Sequence, residues 1–307
     1  MIEIAATLGD PTSIGPEVGI KSIRAFSRKY PDVNIHLFAP RSIVSRLRSK
    51  NLFIHDPEIK SVIYRAGKPS KISAARALRD LERATDFCIA KPSRVLVTGP
   101  LDKFLCSKAD PSFRGHTEYL RDRAKASGTT MLLAGKKLKV ALVTTHLPLK
   151  EVSKRLTSKE IIDTTVRTHH YFSRFVRKPR IAVLGLNPHA SDHGLFGDEE
   201  KKIIKPAISR LKTLKINVEG PFSPDSFFHQ ASGFDAVICM YHDQGLIPLK
   251  MLHFYDAVNI TLGLSFLRTS VDHGTAFDIA GKRKASNLSY THALHTAYHF
   301  AKTSRDH

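Results

Sequence analysis

Three histidines each follow directly on an apolar run: His146 after 140–144, His189 after 181–186 and His242 after 236–240. Imidazole is the commonest nitrogen ligand for a divalent metal, and three ligands with an open position make a catalytic metal site. The chain holds 16 histidines, and a histidine at a strand end can simply cap a turn, so the repeated placement carries the weight. His169 and His170 fall inside a helical pattern and read as plain surface. A second set is cationic and polar: Lys250, Asn259 and Arg268, with His116 and Thr117 inside the segment RGHTE, 114–118. Such groups near a cleft suit a phosphate or carboxylate, although singly each could be surface charge. A third set is the loop HGTAFDIAGK, 273–282. It is neither GxGxxG nor a Walker sequence, but a turn-rich loop near a helix start can present backbone N–H groups to a phosphate. GxSxG and HExxH are absent, which leaves serine hydrolase and zincin chemistry unsupported.

The elements that must position these residues follow from the apolar pattern. Runs at 2–8, 35–39, 95–98, 140–144, 181–186, 236–240 and 257–262 are nearly continuous, as in strands buried on both faces. Helical patterns lie between them at 16–28, 72–90, 158–175, 198–211 and 290–302. Thr157 with Glu160 forms a capping-box pattern, and Ser223 before Pro224 reads as an N-cap followed by proline at the first helical position. Strand–helix alternation over the whole length predicts an α/β fold with a largely parallel sheet, whose chemistry sits in loops beyond the carboxyl ends of strands.

The chain has 307 residues, 42% hydrophobic and 25% charged, which excludes a disordered chain. No apolar run reaches the roughly 18 residues of a membrane span, and the N-terminus lacks the pattern of a signal peptide. Cys88, Cys106 and Cys239 stand in no CxxC spacing, so neither a disulfide framework nor a cysteine zinc site is expected, and a reducing cytoplasm is the expected compartment. Lys and Arg number 48 against 28 Asp and Glu, a formal charge of +20. The basic residues are scattered, as at Arg24, Arg28, Lys136, Lys137, Lys201 and Lys202. A solvated basic surface is expected rather than a nucleic-acid footprint, which would show steeply salt-dependent binding.

Seven segments then become specific: GDPTSIGPE (9–17), TGPLDK (98–103), GHTEYL (115–120), VALVTTHLPL (140–149), GLNPHAS (185–191), MYHDQGLIPLK (240–250) and AVNITLGLSFLRTSVDHGTAFDIAG (257–281). In order and spacing they resemble the 4-hydroxythreonine-4-phosphate dehydrogenases of pyridoxine biosynthesis. The 273–282 stretch also resembles the cofactor loop of isocitrate and isopropylmalate dehydrogenases. The resemblance implies two α/β/α domains with a cleft between them, one from 1–114 with 273–307 and the other from 115–272. It implies NAD-dependent oxidation of 4-phosphohydroxy-L-threonine to 2-amino-3-oxo-4-phosphooxybutanoate, which decarboxylates to 3-amino-2-oxopropyl phosphate. The implied metal ligands are His146, His189 and His242; zinc suits three histidines, with cobalt or magnesium as alternatives. The implied substrate contacts are His116, Thr117, Lys250, Asn259 and Arg268. Asp225, Asp243 and Lys250 are the implied catalytic groups, the aspartates orienting a histidine or moving a proton. His273, Gly274, Thr275, Asp278 and Gly281 would hold the cofactor, and the Asp278 carboxylate would repel a 2′-phosphate and so favour NAD over NADP. Family members are homodimers, in which His242 would reach the metal of the neighbouring subunit. A paralogue acting on D-threonate or D-erythronate 4-phosphate would keep the same motifs. Thr12 and Ser13 replace the family's usual Ala-Gly, TGPLDK replaces TAPINK, and Arg283 replaces a glycine.

Overall fold

A computed structural model describes residues 1–57 and 62–303. They divide into two compact units, Met1–Gly128 with Leu264–His307, and Thr129–Gly263.

The first unit begins with β1 (Ile2–Thr7), α1 (Gly15–Lys29), β2 (Val33–Phe38), α2 (Arg41–Val44), β3 (Leu52–His55), α3 (Lys71–Ile89), β4 (Val95–Thr98), α4 (Lys103–Ala109) and α5 (His116–Arg123). The second unit holds β5 (Thr130–Ala134), β6 (Lys139–Leu142), α6 (Leu149–Arg155), α7 (Ser158–Phe172), β7 (Ile181–Leu184), α8 (Lys205–Thr213), β8 (Val218–Phe222), α9 (Pro224–Phe227), β9 (Ala236–Cys239), α10 (His242–His253) and β10 (Val258–Leu262). The chain then returns to the first unit with β11 (Leu267–Ser270) and α11 (Leu288–Thr303).

The strands of the first unit run in the order β3-β2-β1-β4-β11, all parallel. All four residues of β4 are buried, which explains its unbroken apolar sequence. Helix α3 starts at a complete capping box between Ser70 and Ser73, and its Ala74, Leu78 and Leu81 join Ala5, Leu96 and Leu120 in the core. In the second unit the order is β10-β5-β6-β9-β7-β8. Strands β6, β9, β7 and β8 are parallel, while β5 runs antiparallel to both β6 and β10. Its core gathers Val140, Leu184, Val237 and Leu249 with Phe227.

Several elements differ from the expected pattern for identifiable reasons. The segment after β9 reads as a loop because glycine and proline interrupt it, yet His242 opens helix α10, which carries Pro248 within it. Gly245 is required there. A Cβ at that position would lie 2.9 Å from Cys239 Sγ and 3.2 Å from Val140 Cβ, so only glycine lets the helix settle on β6 and β9. The helix expected at 198–211 is a π-helical turn, Glu200–Ile204, leading into α8. Pro206 there has no N–H to continue the regular ladder. Thr157 caps α7 by accepting from Glu160 N–H at 3.2 Å, but its hydroxyl also donates to the Glu160 carboxylate in place of the reciprocal backbone bond. Ser223 precedes the proline that starts α9, but its side chain turns to Asp225 instead of capping the helix. No helix of the described residues is long and apolar enough to cross a membrane.

Candidate active site

Parallel strands end at a common edge, so the order β6-β9-β7 brings the chain segments bearing His146, His242 and His189 to one edge of the second unit. Pairing between β6 and β9 extends past the strands: Val143 N–H donates to Cys239 C=O at 2.9 Å, and the Thr144 hydroxyl to Met240 C=O at 2.7 Å. The His146 and His242 rings consequently stand with centroids 5.6 Å apart. Thr145, Leu147, Leu149, Val152, Tyr241 and Asp243 join them around a cavity of about 450 Å³. His242 Nδ1 lies 2.6 Å from Asp243 Oδ1.

His189 is presented differently. The residues from His189 to His193 all have positive φ, between 40° and 76°, a left-handed turn built without glycine. This conformation is unfavourable for L-residues and is held by the surroundings. The Ser191 hydroxyl donates to Gly197 C=O at 2.7 Å, and buried Glu200 accepts from the N–H groups of Leu186 and Asn187 at 2.7 and 2.8 Å. His189 Nδ1 stands 4.0 Å from Asp225 Oδ2. The Ser223 hydroxyl holds the exposed Asp225 carboxyl below the usual carboxylate range. Among the described residues of one chain, no three His, Cys, Asp or Glu side chains converge on a single metal position. One chain therefore brings His146 and His242 together and leaves His189 with Asp225. Lys250 lies on α10, its Nζ 5.6 Å from the Phe254 ring centroid, and Asn259 lies on β10 in register with Leu133.

In the first unit, Arg268 projects from the buried strand β11, whose Ser270 stands in register with Thr98. The guanidinium is buried, and its Nε and Nη2 donate to Thr98 Oγ1 at 3.0 and 2.8 Å. Burial lowers its pKa to about 9. His116 opens α5 behind Gly115, whose φ is +146°. Burial first, then the cations Arg268 and Lys103, hold its pKa well below the ordinary histidine value, so the ring is neutral near pH 7. His116 Nε2 is shut off from solvent and has no hydrogen-bond partner among the described residues. Thr117 follows it, half-buried.

The loop at 273–281 is a chain of turns, and the next helix, α11, does not begin until Leu288. Thr275 C=O accepts from Ile14 N–H at 3.0 Å, and Gly281 N–H, at φ +77°, donates to Glu17 at 3.1 Å. A Cβ on exposed Gly274 would meet nothing within 4 Å and Asp278 is exposed, whereas His273 Nδ1 lies 3.0 Å from Gly274 C=O. Residues that the sequence left unmarked lie beside this loop. Tyr64, Arg65 and Lys68 line a cavity of about 350 Å³ together with Thr12 of the substituted pair, and the adjoining Gly67 N–H donates to Thr12 C=O. Only an alignment of basic and aromatic residues near a glycine turn could have flagged them. The substituted pair Thr12-Ser13 is absorbed locally: Thr12 donates twice to Asp10 Oδ1, and Ser13 Oγ donates to Asp10 C=O and accepts from Gly15 N–H.

The fold is of the α/β class that isocitrate dehydrogenase shares. The Methylococcus capsulatus isocitrate dehydrogenase superposes with a TM-score of 0.56 at 14% identity, covering 99% of this chain and 88% of that one. Within that class the chain belongs to the family of the pyridoxal phosphate biosynthetic protein PdxA, whose profile matches residues 11–297. A 4-hydroxythreonine-4-phosphate dehydrogenase of Sulfurihydrogenibium sp. is 39% identical, over 97% of this chain and 98% of that protein. The crystal structure of a Klebsiella pneumoniae 4-hydroxythreonine-4-phosphate dehydrogenase gives a TM-score of 0.87 at 35% identity, covering 98% of this chain and all of that one. A Salmonella typhi protein bearing the provisional name D-threonate 4-phosphate dehydrogenase is 36% identical, over 97% of this chain and 98% of its own.

Proposed function

We propose that the chain is a metal- and NAD-dependent 4-hydroxythreonine-4-phosphate dehydrogenase. It would oxidise 4-phosphohydroxy-L-threonine to 2-amino-3-oxo-4-phosphooxybutanoate, which loses CO₂ to give 3-amino-2-oxopropyl phosphate. The observation that carries this reading is the strand order β6-β9-β7, whose ends lead to His146, His242 and His189 at one sheet edge, in a chain of the PdxA family. The donor set fits a divalent metal, because Asp243 engages Nδ1 of His242 and leaves Nε2 to coordinate. His146, His189 and His242 would hold it; zinc suits three imidazoles, and cobalt or magnesium are the alternatives. When bound, the metal supplies Lewis-acid polarisation of the substrate oxygen, and NAD the hydride acceptor.

The chain's own residues bind and orient. Lys250 and Arg268 neutralise the substrate's anionic ends, with Asn259 and Thr117 as neutral partners. Neutral His116 offers Nε2 to the ligand without adding charge. Asp225 and Asp243 orient His189 and His242 or take a proton released there. The loop His273, Gly274, Thr275, Asp278 and Gly281 receives NAD, with exposed Asp278 disfavouring a 2′-phosphate. The enzyme works as a homodimer whose two copies share the metal ligands. Helix α10, which opens with His242, exposes Ile247 and Met251, and the turn after it exposes Phe254 and Tyr255, apolar surface that a second copy would cover.

The test measures NADH formation on 4-phosphohydroxy-L-threonine, D-threonate 4-phosphate and D-erythronate 4-phosphate side by side. Turnover of the amino acid phosphate, lost on chelation, restored by divalent ion and absent in folded His189→Ala, is expected. Turnover confined to the hydroxy acid phosphates moves the chain to the paralogous activity, and full activity after exhaustive chelation removes the metal from the reading.

A further inference from the structure

Strands β7 and β9 pair in register as far as Val183 opposite Ile238. Two residues further along each, Gly185 and Met240 would supply the next rung, yet the strands end before it. The carboxamide of Gln244 stands in that gap. Its Oε1 accepts from Met240 N–H at 2.7 Å, and its Nε2 donates to Gly185 C=O at 2.8 Å. One acceptor and one donor on a planar group imitate a peptide unit, so the side chain replaces a rung of the ladder and fixes how far the strands diverge. Gln244 is only 7% exposed, and Gly245 beside it lets α10 approach closely enough for the reach.

The two chain segments tied in this way lead to His189 and His242. Beyond Gly185, the N–H groups of Leu186 and Asn187 are both held by Glu200, whose Oε2 also accepts from Asn187 Nδ2 at 2.9 Å. Three consecutive residues ahead of the left-handed turn, Gly185 to Asn187, thus each have a backbone group held by a buried side chain. Met240 stands two residues before His242. We propose that Gln244 is a positioning residue that sets the placement of His189 against His242 and thereby the affinity of the site for its metal. This rests on the reading of those histidines as ligands. It holds whether they meet in one chain or across a two-fold axis, because a displacement in one copy is repeated in the other.

Gln244→Met keeps the volume and removes both bonds; Gln244→Glu keeps the acceptor for Met240 and sets a carboxylate oxygen against Gly185 C=O. The probe is Co²⁺, titrated into the full-length metal-free protein and followed by its visible absorption, with circular dichroism and thermal unfolding reporting the fold. Both folded variants are expected to bind Co²⁺ about 10- to 100-fold more weakly than wild type, with an altered ligand-field band. A purely structural glutamine would lower the melting temperature and leave Co²⁺ affinity and band unchanged. An affinity within threefold of wild type in a folded variant, or failure of both variants to fold, overturns the proposal. Wild-type protein that takes up no Co²⁺ rejects the metal reading itself, an outcome distinct from wild-type binding that the variants retain.

Discussion

Replacing Arg268 by methionine should stabilise the ligand-free protein while removing its response to phosphate. Arg268 is 3% exposed, and burial lowers its pKa to about 9. Against the ordinary arginine value, that lowering corresponds to about 5 kcal/mol at most against the cation. The folded chain binds this proton less tightly than the unfolded chain does. The penalty is therefore complete below about pH 9 and is relieved only as pH rises above it toward the ordinary arginine value. Methionine removes the charge and fills the space, but deprives the buried Thr98 hydroxyl of two donors, returning about 1–3 kcal/mol. The net gain is about 2–4 kcal/mol, in the range seen when buried charges give way to apolar residues. For a chain of this size that is a rise in melting temperature of roughly 4–8 °C. Thermal unfolding with and without inorganic phosphate is the assay. Wild type should gain up to about 2.7 kcal/mol at phosphate a hundredfold above its dissociation constant, and Arg268→Met nothing. In turnover, kcat/KM should fall by about 10²-fold or more. A variant that melts no higher than wild type without phosphate, or that keeps the phosphate-dependent rise, refutes the reasoning.

Two further outcomes are expected. His36 Nδ1 lies 3.0 Å from His55 Nε2, and burial first, then His55, lowers its pKa to about 4. Below pH 6.5 the unfolded chain takes a proton that the folded chain refuses, so stability falls with pH, by about 2–3 kcal/mol at pH 4.5 from this group. Urea unfolding at pH 7 and 4.5 should show His36→Phe losing less than wild type by roughly that amount; equal losses would show that His36 protonates freely. For the shared site, inactive His189→Ala and His242→Ala chains co-expressed at random should recover about a quarter of wild-type activity, since about half the dimers are mixed and each has one intact site of two. Mixed dimers shown by differential tags, yet without activity, would place all three ligands in one chain.

What could be read from the chain alone was whatever is local. Strands such as β4 and β7 are buried on both faces and so carry unbroken apolar runs, and the histidines after them stand where parallel strands deliver their chemistry. The helices α1, α3, α7 and α11 follow a stripe of period 3.6 that is fixed by one face meeting the core. Strand β11 escaped because its sequence, Leu-Arg-Thr-Ser, looks like a surface turn; only its place beside β4, with Thr98 accepting from the guanidinium, makes a buried arginine tenable there. Helix α10 escaped because Gly245 and Pro248 weaken its local pattern, while the close packing that demands Gly245 comes from Val140 and Cys239, far away in the chain. The nearness of His146 to His242, and the bridge from Gln244 to Gly185, depend on β9 lying between β6 and β7. Strand order is decided by which apolar faces can be buried together across dozens of intervening residues. No window of sequence holds both partners of such a contact, so the tertiary structure alone decides it.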